Sequence, residues 1–325
     1  MITKRPSVLR ARSAFTLIEL LVVIAIIGIL VSLLGSAVMK GLSRIPEVQA
    51  STEMSSMGSG LAAFNSDYQL TDPPPSWLIL VEDRNAWFNT YGSPSSGVQA
   101  AYQNSFTFLK RMLGKNFPGV NARTAAAKPP LGWDDWNGNG QVDAPMTLQG
   151  QQCLVFYLGG LPTYSTSGGR LTIGMVGFSL NNLDPTAPVQ NAAGLSTTRR
   201  GPYFPFVNSR LGVVQNAAGL PISYPFYQDP YQIKNVNQVY AFFSTQGRAN
   251  AYIPTDCAAI GANPYWNGAG ASGKNWLNNS SYQLICAGAD GKFGSGNMAT
   301  APSERPGGRD DQSNFSSVIL GAGQQ

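Results

Sequence analysis

The sequence predicts an α+β protein, with a long N-terminal helical stem followed by a body built on an antiparallel β-sheet with long loops. Three observations lead there. Residues 20–39 contain no charged side chain, and Ser32 and Ser36 are the polar interruptions of that run. Beyond it, Leu42, Ile45, Val48, Met54, Met57, Leu61, Phe64 and Tyr68 return mostly at three- and four-residue steps, the spacing of one helix face. The rest is rich in chain-turning residues, with 36 Gly and 22 Pro in 325 residues and 12% charged side chains, a composition of a loop-rich β-containing body rather than a helical bundle.

Each element has its own warrant. Twenty residues at ~1.5 Å rise span roughly 30 Å, the thickness of a bilayer's hydrocarbon core. Ahead of them lie Lys4, Arg5, Arg10 and Arg12 with no acidic residue, which predicts an N-terminus held on the cytoplasmic side. A secretory signal has a shorter apolar region with its small cleavage-site residues after it. Here Ala14 precedes the run, so cleavage at that point removes a basic leader, residues 1–14, and leaves the membrane helix attached. The stem is predicted over 15–68, ~80 Å at ordinary helical rise. Pro46 interrupts it, Gly41, Gly58 and Gly60 weaken it, and Asp72-Pro73-Pro74-Pro75 closes it.

The body then takes residues 69–325. Residues 77–81 are a short apolar segment, 104–113 a short amphipathic helix stopped by Gly114, and 125–130 a linker. Residues 153–158 are a buried element of undecided type ended by Gly159-Gly160, while 171–180, 238–244 and 281–286 are predicted strands. The heptapeptide Val-Gln-Asn-Ala-Ala-Gly-Leu occurs at 189–195 and again at 214–220. Two copies are too few for a solenoid and are expected to form related surface loops or turns.

Composition narrows the function. The formal net charge is +5, from 22 basic and 17 acidic residues; removing the four leader cations leaves 18 against 17, or +1. The basic balance is therefore largely a leader effect, and no nucleic-acid partner is expected. The absence of histidine excludes His-based triads, general bases and metal ligands. Ser and Lys are present but in no catalytic motif, so the chain is expected to work by assembly and not as an enzyme. Cys153, Cys257 and Cys286 lack CxxC spacing and a fourth ligand, which argues against zinc. In an oxidising compartment, one pair is free to form a disulfide and leave one thiol over.

Two places read as candidate sites. Glu19 lies at the head of the apolar helix, where a carboxylate costs several kcal/mol unless it finds a partner. A new α-amino group at Phe15, in the same chain or in a neighbour, would be that partner and would set the axial register of stacked helices. Farther on, Asp135, Asn137, Asn139 and Asp143 place oxygen side chains at positions 1, 3, 5 and 9 of a loop with Gly140 at position 6, the first part of a calcium-loop pattern. Its twelfth position is Met146 where a bidentate Glu is expected, so an Asn-Gly turn held by its own side chains is the alternative.

The string Phe15-Thr16-Leu17-Ile18-Glu19-Leu20-Leu21-Val22-Val23-Ile24-Ala25-Ile26-Ile27-Gly28-Ile29-Leu30 resembles the N-terminus of type IV prepilins and type II secretion pseudopilins. The resemblance implies cleavage between Ala14 and Phe15 by a prepilin peptidase and N-methylation of Phe15. It further implies a single-pass inner-membrane protein with a periplasmic C-terminal domain, assembling into a filament with itself, other pseudopilins and an inner-membrane secretion platform. Ala14 stands where the family usually has Gly, and Ser36 near where many members have Pro. The C-terminal Gly288-Ala289-Asp290-Gly291 turn and the Asp310-Asp311 pair resemble the end of the major pseudopilin, which implies calcium held by Asp290, Asp310 and Asp311. Resemblance to type IV pilins implies a bridge between Cys257 and Cys286 as one pairing. The function expected is a structural subunit of a type II secretion pseudopilus. The alternatives are a type IV pilin of a surface fibre for adhesion, motility or DNA uptake, and a membrane-anchored periplasmic binding protein.

Overall fold

The computed structural model describes residues 16–83, 97–114, 134–167, 169–181, 184–187, 189, 198–231, 238–270, 273–298, 308, 310–316 and 319–320. Side chains within 33–43, 97–99 and 269–270 lie outside that description, as does the predicted linker at 125–130. The chain divides into two compact units, Met1–Pro46 and Glu47–Gln325.

The first unit contains α1 (Leu17–Ser43). Every large apolar side chain described on it, from Leu17 at 81% to Val23 at 44%, is solvent-exposed. An apolar face left open in this way is one that a helix ordinarily covers. Among the described residues no helix is long and apolar enough to cross a membrane. Residues 33–39 of the predicted span carry side chains outside the described residues.

The predicted stem is two helices rather than one kinked one. It breaks at Arg44, and α2 (Ile45–Asp67) follows. Pro46 falls in the first turn of α2, where its missing N–H has no intrahelical bond to lose, so the proline starts a helix instead of interrupting one. α2 belongs almost wholly to the second unit. Ala50, Met54, Met57, Leu61 and Phe64 lie in the main core of the body, each at most 2% exposed. Full burial of a large apolar side chain contributes roughly 1.5–3 kcal/mol. Gly60 allows the close approach: a Cβ there would stand 2.7 Å from the Tyr203 carbonyl oxygen and 2.8 Å from Leu158 Cδ2.

The body is assembled from small antiparallel pairs. Strand β1 (Leu78–Leu80) pairs with β2 (Met146–Leu148), and α3 (Gly97–Leu113), longer than predicted, packs beside β1. Gly114 follows α3 and donates its N–H to the Lys110 carbonyl at 3.0 Å. The undecided element is a helix, α4 (Gly150–Gly159), with Cys153–Leu158 buried on every side. A run with no polar face reads equally as a buried strand or a buried helix, so periodicity alone does not decide its type. Gly160 ends it at φ +71°, donating to the Phe156 carbonyl at 3.0 Å and packing against the Gly177 backbone.

A hairpin follows, β3 (Pro162–Ser167) with β4 (Arg170–Met175). Gly177 separates β4 from β5 (Phe178–Ser179), so the predicted strand at 171–180 is two; β5 pairs with β6 (Arg199–Arg200). Strands β7 (Leu211–Gly212) and β8 (Phe226–Tyr227) form another short pair. Between them the second heptapeptide copy is the predicted turn: Asn216 Oδ1 accepts the N–H groups of Ala218 and Leu220 at 3.0 Å each. The first copy lies outside the described residues except for Val189.

The central sheet runs β13–β12–β9, where β9 is Ala241–Ser244, β12 is Tyr282–Cys286 and β13 is Gln312–Ser313. Its register, Leu284 opposite Phe242 and Ile285 opposite Ala241, sends alternate side chains to opposite faces. Phe242, Leu284 and Cys286 join α2 and α4 in the main core. Ala241, Phe243 and Ile285 join a second core with Cys257, Tyr265 and Leu320. That second face also carries Trp276, from the hairpin of β10 (Trp266–Gly270) and β11 (Gly273–Trp276). The three cysteines are free and buried, the alternative to a bridge, and Cys257 and Cys286 belong to different cores.

Candidate functional site

The N-terminus of α1 is closed by its own side chains. The Thr16 N–H and hydroxyl both donate to Glu19 Oε2 at 2.9 Å, and the Glu19 N–H donates back to Thr16 Oγ1 at 3.3 Å. This reciprocal pair is a capping box, which satisfies two N–H donors that a helix start otherwise leaves without partners. Thr16-x-x-Glu19 is readable in the sequence as such a box, a signal that attention to the lipid cost of Glu19 passes over. In the single chain Glu19 therefore has Thr16 as its partner. Ala14 and Phe15, the predicted processing residues, lie outside the described residues.

A second polar cluster, which no sequence motif marked, fixes α2 to the body. Arg210 Nη1 and Nη2 reach Glu53 Oε1 and Oε2 at 2.6 and 2.8 Å, a bidentate pair. The Tyr240 hydroxyl donates to Glu53 Oε2 at 2.7 Å, and Gln49 Nε2 donates to Oε1 at 2.9 Å. Arg210 also donates to the Gln228 carbonyl, and its guanidinium lies 4.4 Å from the Tyr227 ring centre. Burial alone raises the Glu53 pKa, but the hydrogen bonds from Arg210, Tyr240 and Gln49 outweigh it and hold the carboxyl below its ordinary value.

The two predicted cation sites differ in what their oxygens face. In the 135–143 loop, Asp135 Oδ1 and Oδ2 accept the N–H groups of Asn139 and Gly140 at 3.1 and 3.0 Å. Asn137 Oδ1 accepts the Asn139 N–H at 3.2 Å, and Asn139 Oδ1 accepts the Gln141 N–H at 2.8 Å. Asp143 Oδ2 accepts from both Asn137 Nδ2 and Asn139 Nδ2 at 2.7 Å. The fully buried Glu82 accepts the N–H of Trp136 at 3.1 Å and of Asp143 at 2.8 Å. Burial, added to by the charges of Asp135 and Asp143, pushes its carboxyl up to about 8 despite these two hydrogen bonds.

At the C-terminal site the Asp290 N–H donates to Asp310 Oδ2 at 2.8 Å, joining the two predicted turns. Asp290 Oδ1 accepts the Lys292 N–H at 2.8 Å. Asp311, fully buried, accepts the Gly294 N–H on Oδ2 at 2.9 Å together with the Tyr265 hydroxyl. Among the described residues, Asp310 Oδ1 and Asp311 Oδ1 are buried with no hydrogen-bond partner. Burial pushes the Asp311 carboxyl up to about 7, with Asp310 and Asp290 adding to the rise. Among the described residues no group of three or more His, Cys, Asp or Glu side chains is clustered to hold a metal ion.

Residues 9–35 match a protein-family model, the prokaryotic N-terminal methylation motif. This chain carries a prepilin-type N-terminus. The match spans Ala14, Phe15 and Glu19 and supports the type IV pilin-like reading of the string. No curated protein and no solved structure matches the chain. Such an N-terminus points to a membrane-anchored, processed protein of pilin-like type.

The raised Asp311 pKa has a testable sign. A carboxyl whose pKa is about 7 folded and near 3.8 unfolded binds its proton more tightly in the native state. Its contribution is full below pH ~4 and is lost as pH rises through ~7. Asp311→Asn keeps an acceptor for Tyr265 and Gly294 but removes the charge. Melting temperatures between pH 4 and 7 are expected to fall more steeply for wild type than for Asp311→Asn. Parallel profiles would refute the assignment.

Proposed function

We propose that this chain is a structural subunit of a type II secretion pseudopilus. Prepilin peptidase cuts between Ala14 and Phe15, Phe15 is N-methylated, and the mature protein sits in the inner membrane as a single-pass subunit with its body in the periplasm. Subunits then leave the membrane and pack through α1 into a filament, with other pseudopilins and the secretion platform as partners. No residue is assigned to catalysis. The observation that carries this reading is the methylation motif at 9–35 set on a helix whose described apolar side chains are all exposed. Such a helix calls for lipid first and neighbouring helices afterwards. Intact mass of the membrane-extracted protein is expected to show loss of residues 1–14 and one added methyl group. Retention of 1–14, or a cut after the apolar run, would sink the proposal.

The pseudopilin reading is favoured over a type IV pilin by the C-terminal site. The two buried, unpartnered oxygens of Asp310 and Asp311 are what a hard cation would satisfy, and the cysteines supply no C-terminal bridge. Asp290, Asp310 and Asp311 would hold calcium, which takes six to eight oxygens at ~2.3–2.6 Å, with carbonyls and water completing the set. The ion would supply structural closure of a Gly-rich segment. The 135–143 loop, whose oxygens already accept its own N–H and amide donors, stands as the alternative location. A ligand bound only to the folded state adds about 2.7 kcal/mol at a hundredfold excess over Kd. The protein is expected to melt higher in millimolar calcium than in chelator, with Asp290→Ala removing most of the shift and Asp135→Ala leaving it. Reversal of the two variants moves the site to the loop, and no shift in wild type refutes both.

A further inference from the structure

A cavity of about 420 Å³ opens in the body between α3, the chain after the Pro-rich closure and the short 3₁₀ helix Pro254–Ile260. Its walls include the rings of Trp77 and Phe108, both partly buried, and the aliphatic Ile253. Asp256, 3% exposed, also lines it. The Ser76 hydroxyl donates to Asp256 Oδ2 at 2.5 Å, and Ser76 in turn accepts the Ser244 N–H at 2.9 Å, so the carboxylate is held in place from β9. Among the described residues no cation pairs with Asp256. A buried carboxylate without a counter-charge is costly, and the cost falls when a cation enters. On the exposed rim of the same cavity stands Arg248, whose guanidinium has no acidic partner among the described residues.

A buried acid, an exposed arginine and two aromatic side chains therefore line one cavity. We propose that this cavity binds a zwitterionic ligand, its ammonium at Asp256, its carboxylate at Arg248 and its apolar stem between Trp77 and Phe108. Arginine suits the second role because its planar fork bonds a carboxylate through two N–H groups, and the exposed rim leaves it free to turn toward the ligand. The aromatic faces add apolar contact and attract the cationic end. A lone organic cation would meet the unpaired arginine, and a lone anion would meet the buried acid. The chemistry therefore selects an amino acid with separated charges, free or as the C-terminal lysine of a polypeptide. The site does not depend on the filament reading.

The test uses the full chain in detergent and 6-aminohexanoate as probe, with 6-hydroxyhexanoate and 6-aminohexan-1-ol as compounds lacking one charge each. Calorimetric titration is expected to show saturable binding of 6-aminohexanoate, weakened at least about tenfold by Asp256→Asn and by Arg248→Gln. The Asp256→Asn change keeps an acceptor for Ser76, and Arg248 is exposed, so both variants are expected to fold; equal melting temperatures check this. Loss of the carboxylate in 6-aminohexan-1-ol should make binding indifferent to Arg248→Gln, and loss of the amine in 6-hydroxyhexanoate should make it indifferent to Asp256→Asn. The tripeptide Gly-Gly-Lys tests the polypeptide source, and saturable binding by either zwitterion supports the class. No saturable binding of either, equal binding to wild type and both variants, or equal affinity for 6-aminohexan-1-ol and 6-aminohexanoate would overturn it.

Discussion

Glu53→Ala is expected to destabilise the body by about 3–5 kcal/mol, the range for removing one partner of a buried ion pair. The reason lies in what remains. Arg210 is 3% exposed and would keep its charge with the Gln228 carbonyl and the Tyr227 ring as its company. The Tyr240 hydroxyl would lose its acceptor at the same time. With whole-domain stabilities of about 5–15 kcal/mol, a loss of this size is a large fraction of the total. Chemical denaturation of the full chain in mild detergent measures it from the shift of the midpoint at constant slope.

Two further variants separate charge from packing. Glu53→Leu combined with Arg210→Met removes both charges together and is expected to cost less than Glu53→Ala alone, since no uncompensated charge is left. Tyr240→Phe removes one hydrogen bond and should cost about 0.5–1.5 kcal/mol. If Glu53→Ala costs under about 1 kcal/mol, well below the range for a broken buried pair, the pair is not what joins α2 to the body, and the apolar face of α2 carries that attachment by itself.

That apolar face was legible in the sequence, because a helix buried on one side must repeat its large residues every three or four positions, and Met54, Met57, Leu61 and Phe64 do so. The strands around 241–244 and 282–286 were legible from β-branched and aromatic density, although burial on both faces removed the alternation that would have given their register. Glu53 and Arg210 were not, since they are 157 residues apart and nothing local distinguishes a charge on a buried helix face from one on a solvated face. Glu82 was missed for the same reason: its partners, Trp136 and Asp143, reach it through backbone N–H groups that carry no sequence signature. At the head of α1 the opposite held. Thr16-x-x-Glu19 is a local motif, legible without any distant contact, and its capping bonds form within four residues.

Glu19 bonds Thr16 within the chain, and the proposed filament gives it a second partner, the Phe15 ammonium of a neighbour. Glu19→Ala is expected to be cut and retained in the membrane, yet to be reduced at least about tenfold in sheared fibres. It deprives the neighbour's Phe15 ammonium of its counter-charge in a low-dielectric setting, where such pairs matter most. It also opens the capping box that Thr16 and Glu19 form within one chain. Glu19→Gln separates the two effects, because glutamine serves in a capping box as glutamate does but carries no charge. If register is set by charge, Glu19→Gln fails to assemble along with Glu19→Ala, and Glu19→Asp, with a shorter carboxylate, falls between them and wild type. Thr16→Ala gives the converse arm, since it removes the hydroxyl that bonds Glu19 while leaving the carboxylate for a neighbour, and it should assemble close to wild type. Fibres from Glu19→Gln equal to wild type, with Thr16→Ala defective, would reduce Glu19 to a helix cap and remove the pairing between subunits from the mechanism.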